Sequence, residues 1–369
     1  MSVDIGIIGL AKSGKTTIFN ALTGGKADTG TYSAESLTPH LGIAKVPEPR
    51  LKTLADMLQP KRVVPAEVKY TDIGASVKSL AKDKSSIGRE LLAQLSNVDA
   101  LINVVRAFPD ERIPHAEGSI DASRDIATMD LELAFSDLAI IERRLERINT
   151  SLKGAKPPER QGLIHEQDTL MKFKADLEKE VPIRELKLAD SEAKAVSGYQ
   201  FLTAKPLLIV ANIGEEQLPE AASLEAELNS SHSREKCRVI TLCGKLEMEL
   251  AQLDNEAAAE FRADFGLKES GLDRVIKQSY ELLGLISFFT TVSSEVKAWS
   301  IQSGTSALKA AGKIHTDMER GFIRAEVIGH DDLVKCGNLA EARKKGILRL
   351  EGKEYTVQDG DVITFLFNI

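Results

Sequence analysis

Gly9, Gly14, Lys15 and Thr16 stand in the run GLAKSGKTT at positions 9–17. A glycine, four residues, then Gly-Lys-Thr is the spacing of a loop that wraps phosphates. Successive backbone N–H groups point at the phosphate oxygens, and a following helix adds the favourable end of its dipole. A side chain at position 14 would crowd that cradle. Lys15 is expected to neutralise the terminal phosphates and the Thr16 hydroxyl to hold Mg2+. Ala11, Lys12, Ser13, Gly14, Lys15, Thr16 and Thr17 are therefore the expected nucleotide-lining residues, with Lys12 adding a positive charge beside the phosphates.

A phosphate loop alone hydrolyses nothing. The metal and the γ-phosphate need contacts that change on hydrolysis. VKYTDIGAS at 68–76 supplies Asp72 at a strand end, suited to hold magnesium directly or through water. A backbone N–H near Gly74 or Ala75 would sense the γ-phosphate. Ala75 lacks glycine's freedom in φ, which predicts either a stiffer switch or a differently placed N–H. The switch segment TYSAESLTPHLG offers two hydroxyls, Ser36 and Thr38. A glutamine at the position of Ser76 would reach the attacking water and orient it. Serine is too short to orient water in that way, so intrinsic hydrolysis is expected to be slow.

Base recognition rests on Asn212-Ile213-Gly214-Glu215. The usual guanine reader is Asn-Lys-x-Asp, whose aspartate accepts from the guanine edge. Here the lysine is absent and a longer glutamate replaces the aspartate. A carboxylate offers no donor to adenine N1. Strict guanine selection is thus expected to be weakened, which leaves room for ATP beside GTP without choosing between them.

These residues need elements to carry them. Strand candidates lie at 3–8, 67–71, 100–105, 206–212 and 237–243, with TTIFNALTG reading as a helix that stops near Gly24. They form one α/β domain, 1–125 and 200–283, interrupted at 126–199. In the interruption Ile126, Met129, Leu133, Ile140 and Ile148 fall near one helical face. GAKPPERQG at 154–162 is read as a break before a second amphipathic helix, giving a helical hairpin that either projects as an arm or lies flat. Residues 284–369 are rich in β-formers and glycine turns, which predicts a small α+β module without a catalytic set.

The chain has 369 residues, 43% hydrophobic and 28% charged, with net charge -7. That charge argues against a protein that coats nucleic acid, and DNA is not expected as a partner. There is no 18-residue apolar run and no leader-like start, so a soluble cytoplasmic protein without membrane contact is expected. Cys237, Cys243 and Cys336 lack metal-ligand spacing and read as reduced thiols. Lys335, Arg343, Lys344, Lys345 and Arg349 make a local basic run, a candidate RNA or ribosomal-protein contact.

GLAKSGKTTIFNALT, DIGA, NIGE, FFTTVSSEVKAWSI, AAGKIHTDMERGFIRAEVI and YTVQDGDVITFLFN together resemble the YchF/Obg-like ATPase family, in the translation-factor-related P-loop GTPase class. The resemblance covers essentially the whole chain. It implies an α/β P-loop domain, an inserted α-helical hairpin (coiled-coil arm) and a C-terminal α+β TGS-like domain. It also implies hydrolysis of ATP in preference to GTP, and association with ribosomes in translation or stress. Lys15 and Asp72 take the catalytic positions, Thr16, Ser36 and Asp72 the metal positions, and Asn212 with Glu215 the base pocket. Ser36 is chosen with Pro39 as the anchor. His115, in HAEG, resembles a family histidine considered for catalysis. The P-loop reads Ala-Lys-Ser where the family more often has Pro-Asn-Val, and GGKADTGTYSAES matches poorly. The remaining alternatives are a guanine-nucleotide switch and a ribosome adaptor that barely hydrolyses. A monomer is expected.

Overall fold

The computed structural model describes residues 3–25, 39–73, 86–115, 117–292 and 294–368. Ser36, Thr38, Gly74, Ala75 and Ser76 lie outside them. In chain order the first elements are β1 (Val3–Ile8), α1 (Lys15–Thr23), β2 (His40–Lys45), α2 (Pro49–Leu58), β3 (Arg62–Val64), β4 (Glu67–Asp72), α3 (Ser86–Asn97) and β5 (Ala100–Arg106). Then come α4 (Ala122–Ser151), α5 (Pro157–Leu177), α6 (Asp190–Val196), β6 (Leu207–Asn212), α7 (Ala221–His232), β7 (Cys237–Leu242), α8 (Gly244–Leu250), α9 (Asn255–Asp264) and α10 (Gly271–Leu282). The chain continues through β8 (Leu285–Val292), β9 (Glu295–Gln302), α11 (Ala307–Ile314), α12 (Thr316–Arg320) and β10 (Phe322–Gly329). It closes with α13 (His330–Cys336), α14 (Leu339–Lys344), β11 (Arg349–Glu351) and β12 (Asp361–Phe367).

Two compact units divide these elements. One comprises Asp4–Ile43 and Lys69–Val275. Its sheet runs β2-β4-β1-β5-β6-β7, with β1, β5, β6 and β7 paired in parallel. Every residue of β5 and β6 is buried, as expected of strands covered on both faces. The five strand candidates read from the sequence are therefore strands, each within a residue or two of its expected ends.

The inserted hairpin forms. Ile126, Met129 and Leu133 of α4 enter the core cluster with Val105, Ile209 and Val239 of the sheet. Farther along, Ile141 and Ile148 pack with Leu170, Phe173 and Leu177 of α5. One long helix is thus rooted in the sheet core at its start and in the hairpin core at its end. Ile141 takes the central place expected of Ile140, which packs at the edge. The expected break is shorter than 154–162, because α5 already begins at Pro157. Proline is tolerated in the first helical turn, where its missing N–H would have had no partner.

The other unit joins Ala44–Val68 to Ile276–Ile369. Its sheet runs β11-β10-β12-β8-β9-β3. Residues 44–68 belong here because β3 pairs in parallel with β9, Arg62 opposite Glu295. Arg50 of α2 adds ion pairs to Glu48 at 2.7 Å and Asp359 at 2.8 Å. The α+β character expected of the C-terminal region holds, and this added segment is what a linear reading of 284–369 leaves out. Among the described residues, no helix is long and apolar enough to cross a membrane.

Candidate nucleotide-binding site

The loop between β1 and α1 is held open by glycine where sterics demand it. Gly14 has φ 94°, and a Cβ there would meet the Asn212 amide nitrogen at 2.2 Å. Gly9 approaches the Val104 carbonyl so closely that a Cβ would sit 2.4 Å from it. Lys12 adopts φ 63° without being glycine, backbone strain of the kind that collects at functional loops.

Lys15 is buried, and its ammonium donates to the carbonyls of Gly9 at 3.0 Å and Leu10 at 2.9 Å. Burial pushes its pKa down to about 8, while the nearby Asp72 carboxylate pulls it back up. The Thr16 hydroxyl donates to Asp72 Oδ2 at 2.9 Å. Asp72 is fully buried, and its Oδ1 has no hydrogen-bond partner. Burial raises its pKa; the Thr16 bond, Lys15 and His40 act against that rise. A hydroxyl and an orphaned carboxylate oxygen side by side are hard oxygen donors, so the residues present fit Mg2+.

Lys15, Thr16 and Asp72 are thus brought together. Asn212 joins them from the end of β6. Its amide donates to Ser13 O at 3.0 Å and accepts from Gly244 N–H at 2.9 Å. The amide therefore ties the phosphate loop to the start of α8. Glu215 does not share that place. Its carboxylate accepts from Lys245 at 3.0 Å in a pair open to solvent.

His115 lies on another side of the loop. It lines a crevice with Leu10, Ala11 and Ser13. Its Nε2 is 2.9 Å from Asp125 Oδ2, and its Nδ1 accepts from Glu117 N–H at 3.1 Å. Arg106 fixes the approach to it. The buried guanidinium donates to the carbonyls of Phe108, Asp110 and Ile113 and lies 4.6 Å from the Phe108 ring centroid.

Two family models match the chain. One, the YchF GTPase C-terminal model, is described as "Protein of unknown function (DUF933)" and matches 285–368. The other, described as "50S ribosome-binding GTPase", matches 4–139. A Bacillus subtilis protein named ribosome-binding ATPase YchF is 40% identical over 100% of both chains. The chain belongs to the YchF family. A Pasteurella multocida protein of the same name is 38% identical over 100% of both chains. The solved Schizosaccharomyces pombe YchF GTPase superposes with a TM-score of 0.83 at 29% identity, covering 99% of this chain and 98% of that one.

Within this YchF-family chain, four residues near the loop escaped sequence reasoning. Asp125 and Arg106 carry no local motif. Lys245 faces Glu215 from a position 30 residues away. His40, whose Nδ1 is 3.8 Å from Asp72 Oδ2, directly follows the Pro39 anchor, which was a usable signal. The C-terminal basic run is also less bare than its sequence. Lys335, Arg343, Lys344 and Arg349 lie within 4 Å of Asp332, Glu326, Glu341 and Glu351 respectively. Cys237 and Cys243 are buried, and burial raises both thiols, Cys237 to about 11. That disfavours thiolate chemistry at either site.

Proposed function

We propose that the chain is a magnesium-dependent P-loop nucleoside triphosphatase that prefers ATP over GTP and works in association with ribosomes. The observation that carries this reading is the convergence of Lys15, Thr16 and Asp72 beneath a loop whose Gly14 abuts Asn212. The relatives' names, ribosome-binding ATPase, supply the ribosome and the nucleotide.

In the reaction a water oxygen bonds to the γ-phosphorus and the bond to the β–γ bridging oxygen breaks. ADP leaves, inorganic phosphate keeps the water oxygen and one of its protons, and the other proton passes to solvent. Loop N–H groups and the Lys15 ammonium stabilise the charge gathering on the phosphate oxygens. Thr16 and Asp72 would hold Mg2+, which supplies Lewis-acid neutralisation of the phosphates. Ser36 is assigned to the same metal. Ala11, Lys12, Ser13 and Thr17 complete the cradle.

Asn212 keeps the loop in place, and one amide N–H remains for the base. Glu215 and Lys245 form the polar rim. With the carboxylate engaged by an ammonium, the guanine edge meets a weakened acceptor, and this supports ATP preference. His115 is assigned to orienting the attacking water once its ring is freed. The protein is proposed to be a monomer in the cytoplasm.

Titration calorimetry with ATPγS and GTPγS in magnesium, on wild type and Lys15→Ala, tests the reading. A preference for ATPγS that is lost in the variant supports it. Equal or guanine-favouring affinity would move a guanine-nucleotide switch ahead. Binding without turnover in a parallel phosphate-release assay would leave an adaptor.

A further inference from the structure

His115 and Asp125 form a buried pair that the nucleotide contacts do not require. Their side chains are 5% and 2% exposed. The Glu117 N–H donates to Nδ1 at 3.1 Å, so in the neutral ring the proton sits on Nε2. That N–H faces Asp125 Oδ2 at 2.9 Å. The other carboxylate oxygen accepts from Arg124 at 3.0 and 2.8 Å, and Arg124 also donates to Ser119 O. Both ring nitrogens are thus occupied, and a ring so held has no lone pair for a water proton. Yet the crevice it lines includes Leu10, Ala11 and Ser13 of the phosphate loop, as well as Asn103. Ser13 Oγ and Asn103 Nδ2 are buried there without hydrogen-bond partners. Such groups are normally satisfied, so the arrangement stores a second polar environment beside the histidine.

We propose that Asp125 is a positioning residue that latches His115 in a resting orientation, and that hydrolysis requires the ring to leave the carboxylate. Asp125 stands in the first turn of α4, the helix that continues into the inserted hairpin. The latch is therefore built at the root of the helix that carries the insertion and not on the phosphate loop. This inference rests on the reading that the chain hydrolyses nucleotide with His115 taking part.

The test is steady-state turnover of Mg-ATP by the full chain as wild type, Asp125→Ala, Asp125→Asn, His115→Ala and the His115→Ala/Asp125→Ala double variant. Losing one charge-assisted hydrogen bond is expected to raise kcat about tenfold in Asp125→Ala, with KM changed less than about twofold. Asp125→Asn, whose amide oxygen still accepts from Nε2–H, is expected to fall between. The double variant should match His115→Ala. An unchanged or lowered kcat in folded Asp125→Ala overturns the latch, as does an equal rise in the absence of His115.

Long-range 1H–15N NMR of His115 gives a second readout that needs no alanine variant. Wild type should show the Nε2–H tautomer, and Asp125→Asn a shifted ring signal. A Nδ1–H tautomer, or a ring signal unmoved by Asp125→Asn, overturns the latch even if Asp125→Ala does not fold. Wild-type turnover in His115→Ala would instead sink the role assigned to His115, while the NMR signal still reports whether Asp125 holds the ring.

Discussion

A lysine ammonium enclosed by two carbonyls sits in a poor medium for charge, and at Lys15 this sets a measurable pH dependence. Its pKa lies at about 8 because burial disfavours the cation. Phosphates bind the cation and raise that value again, so binding takes up a proton once the solution pH exceeds about 8. Nucleotide affinity should then fall by up to about tenfold per pH unit above 8 and be flat below it. Calorimetry between pH 7 and 9.5, in buffers of different ionisation enthalpy, reads both the affinity and the proton. A flat affinity across that range would show that Lys15 stays charged without phosphate. Gly14 makes a steric prediction. In Gly14→Ala the new methyl meets the Asn212 amide at 2.2 Å while φ stays at 94°. Backbone strain alone costs about 1–3 kcal/mol. Nucleotide binding should be lost, and adding Asn212→Ala should not restore it, because the strain remains and Ser13 O loses its donor.

At the scale of elements, α4 decides how the insertion is held. Asp137 on this helix is buried, and its carboxylate accepts from Leu202 N–H at 2.9 Å, Thr203 N–H at 2.7 Å and the Thr203 hydroxyl at 2.6 Å. Burial nevertheless raises its pKa to about 6, against those donors. The folded state thus holds this proton more tightly than the unfolded chain. Its contribution to stability is most favourable below pH 4 and is lost as pH rises through 6, a change of about 3 kcal/mol. Asp137→Ala should remove that slope from denaturant unfolding measured at pH 4 to 7. It should also cost about 1–3 kcal/mol at the acid end, where it leaves the Leu202 and Thr203 donors unpaired.

The strands and both hairpin helices were legible in the sequence because apolar runs and helical periodicity are local. Residues 44–68 were not, since the β3–β9 pairing joins positions more than 200 apart and nothing local marks it. The same limit applies at the site. Lys15, Thr16 and Asp72 stood in motifs with fixed spacing. Asp125 and Lys245 matter only through partners that the fold brings near. The splitting of Asn212 from Glu215 was hidden for a related reason. A motif gives neighbours in sequence, but the turn after β6 sends the Asn212 side chain to Ser13 of the loop and that of Glu215 to Lys245.

For the whole molecule the question is how a chain of net charge -7 would engage a ribosome. A protein that neutralises six to ten phosphates loses about 10³–10⁵ in affinity between 50 and 200 mM salt. The C-terminal basic run does not present that kind of surface, because carboxylates lie beside four of its five cations. Exposed pairs of this type contribute little to stability, but they still offset the local potential. Contacts to ribosomal protein, set by nucleotide state, are therefore expected to outweigh contacts to rRNA phosphate. Co-sedimentation with ribosomes should rise with Mg-ATPγS, fail to do so for Lys15→Ala, and change less than about tenfold between 50 and 200 mM salt. Reversing Lys335, Arg343, Lys344, Lys345 and Arg349 together should leave the nucleotide dependence intact. A loss of a thousandfold with salt, or its abolition by the five reversals, would place phosphate recognition in the C-terminal unit. The offsetting carboxylates would then have to release their partners on binding, and charge-neutral variants of Glu326 and Glu341 would bind ribosomes more tightly than wild type.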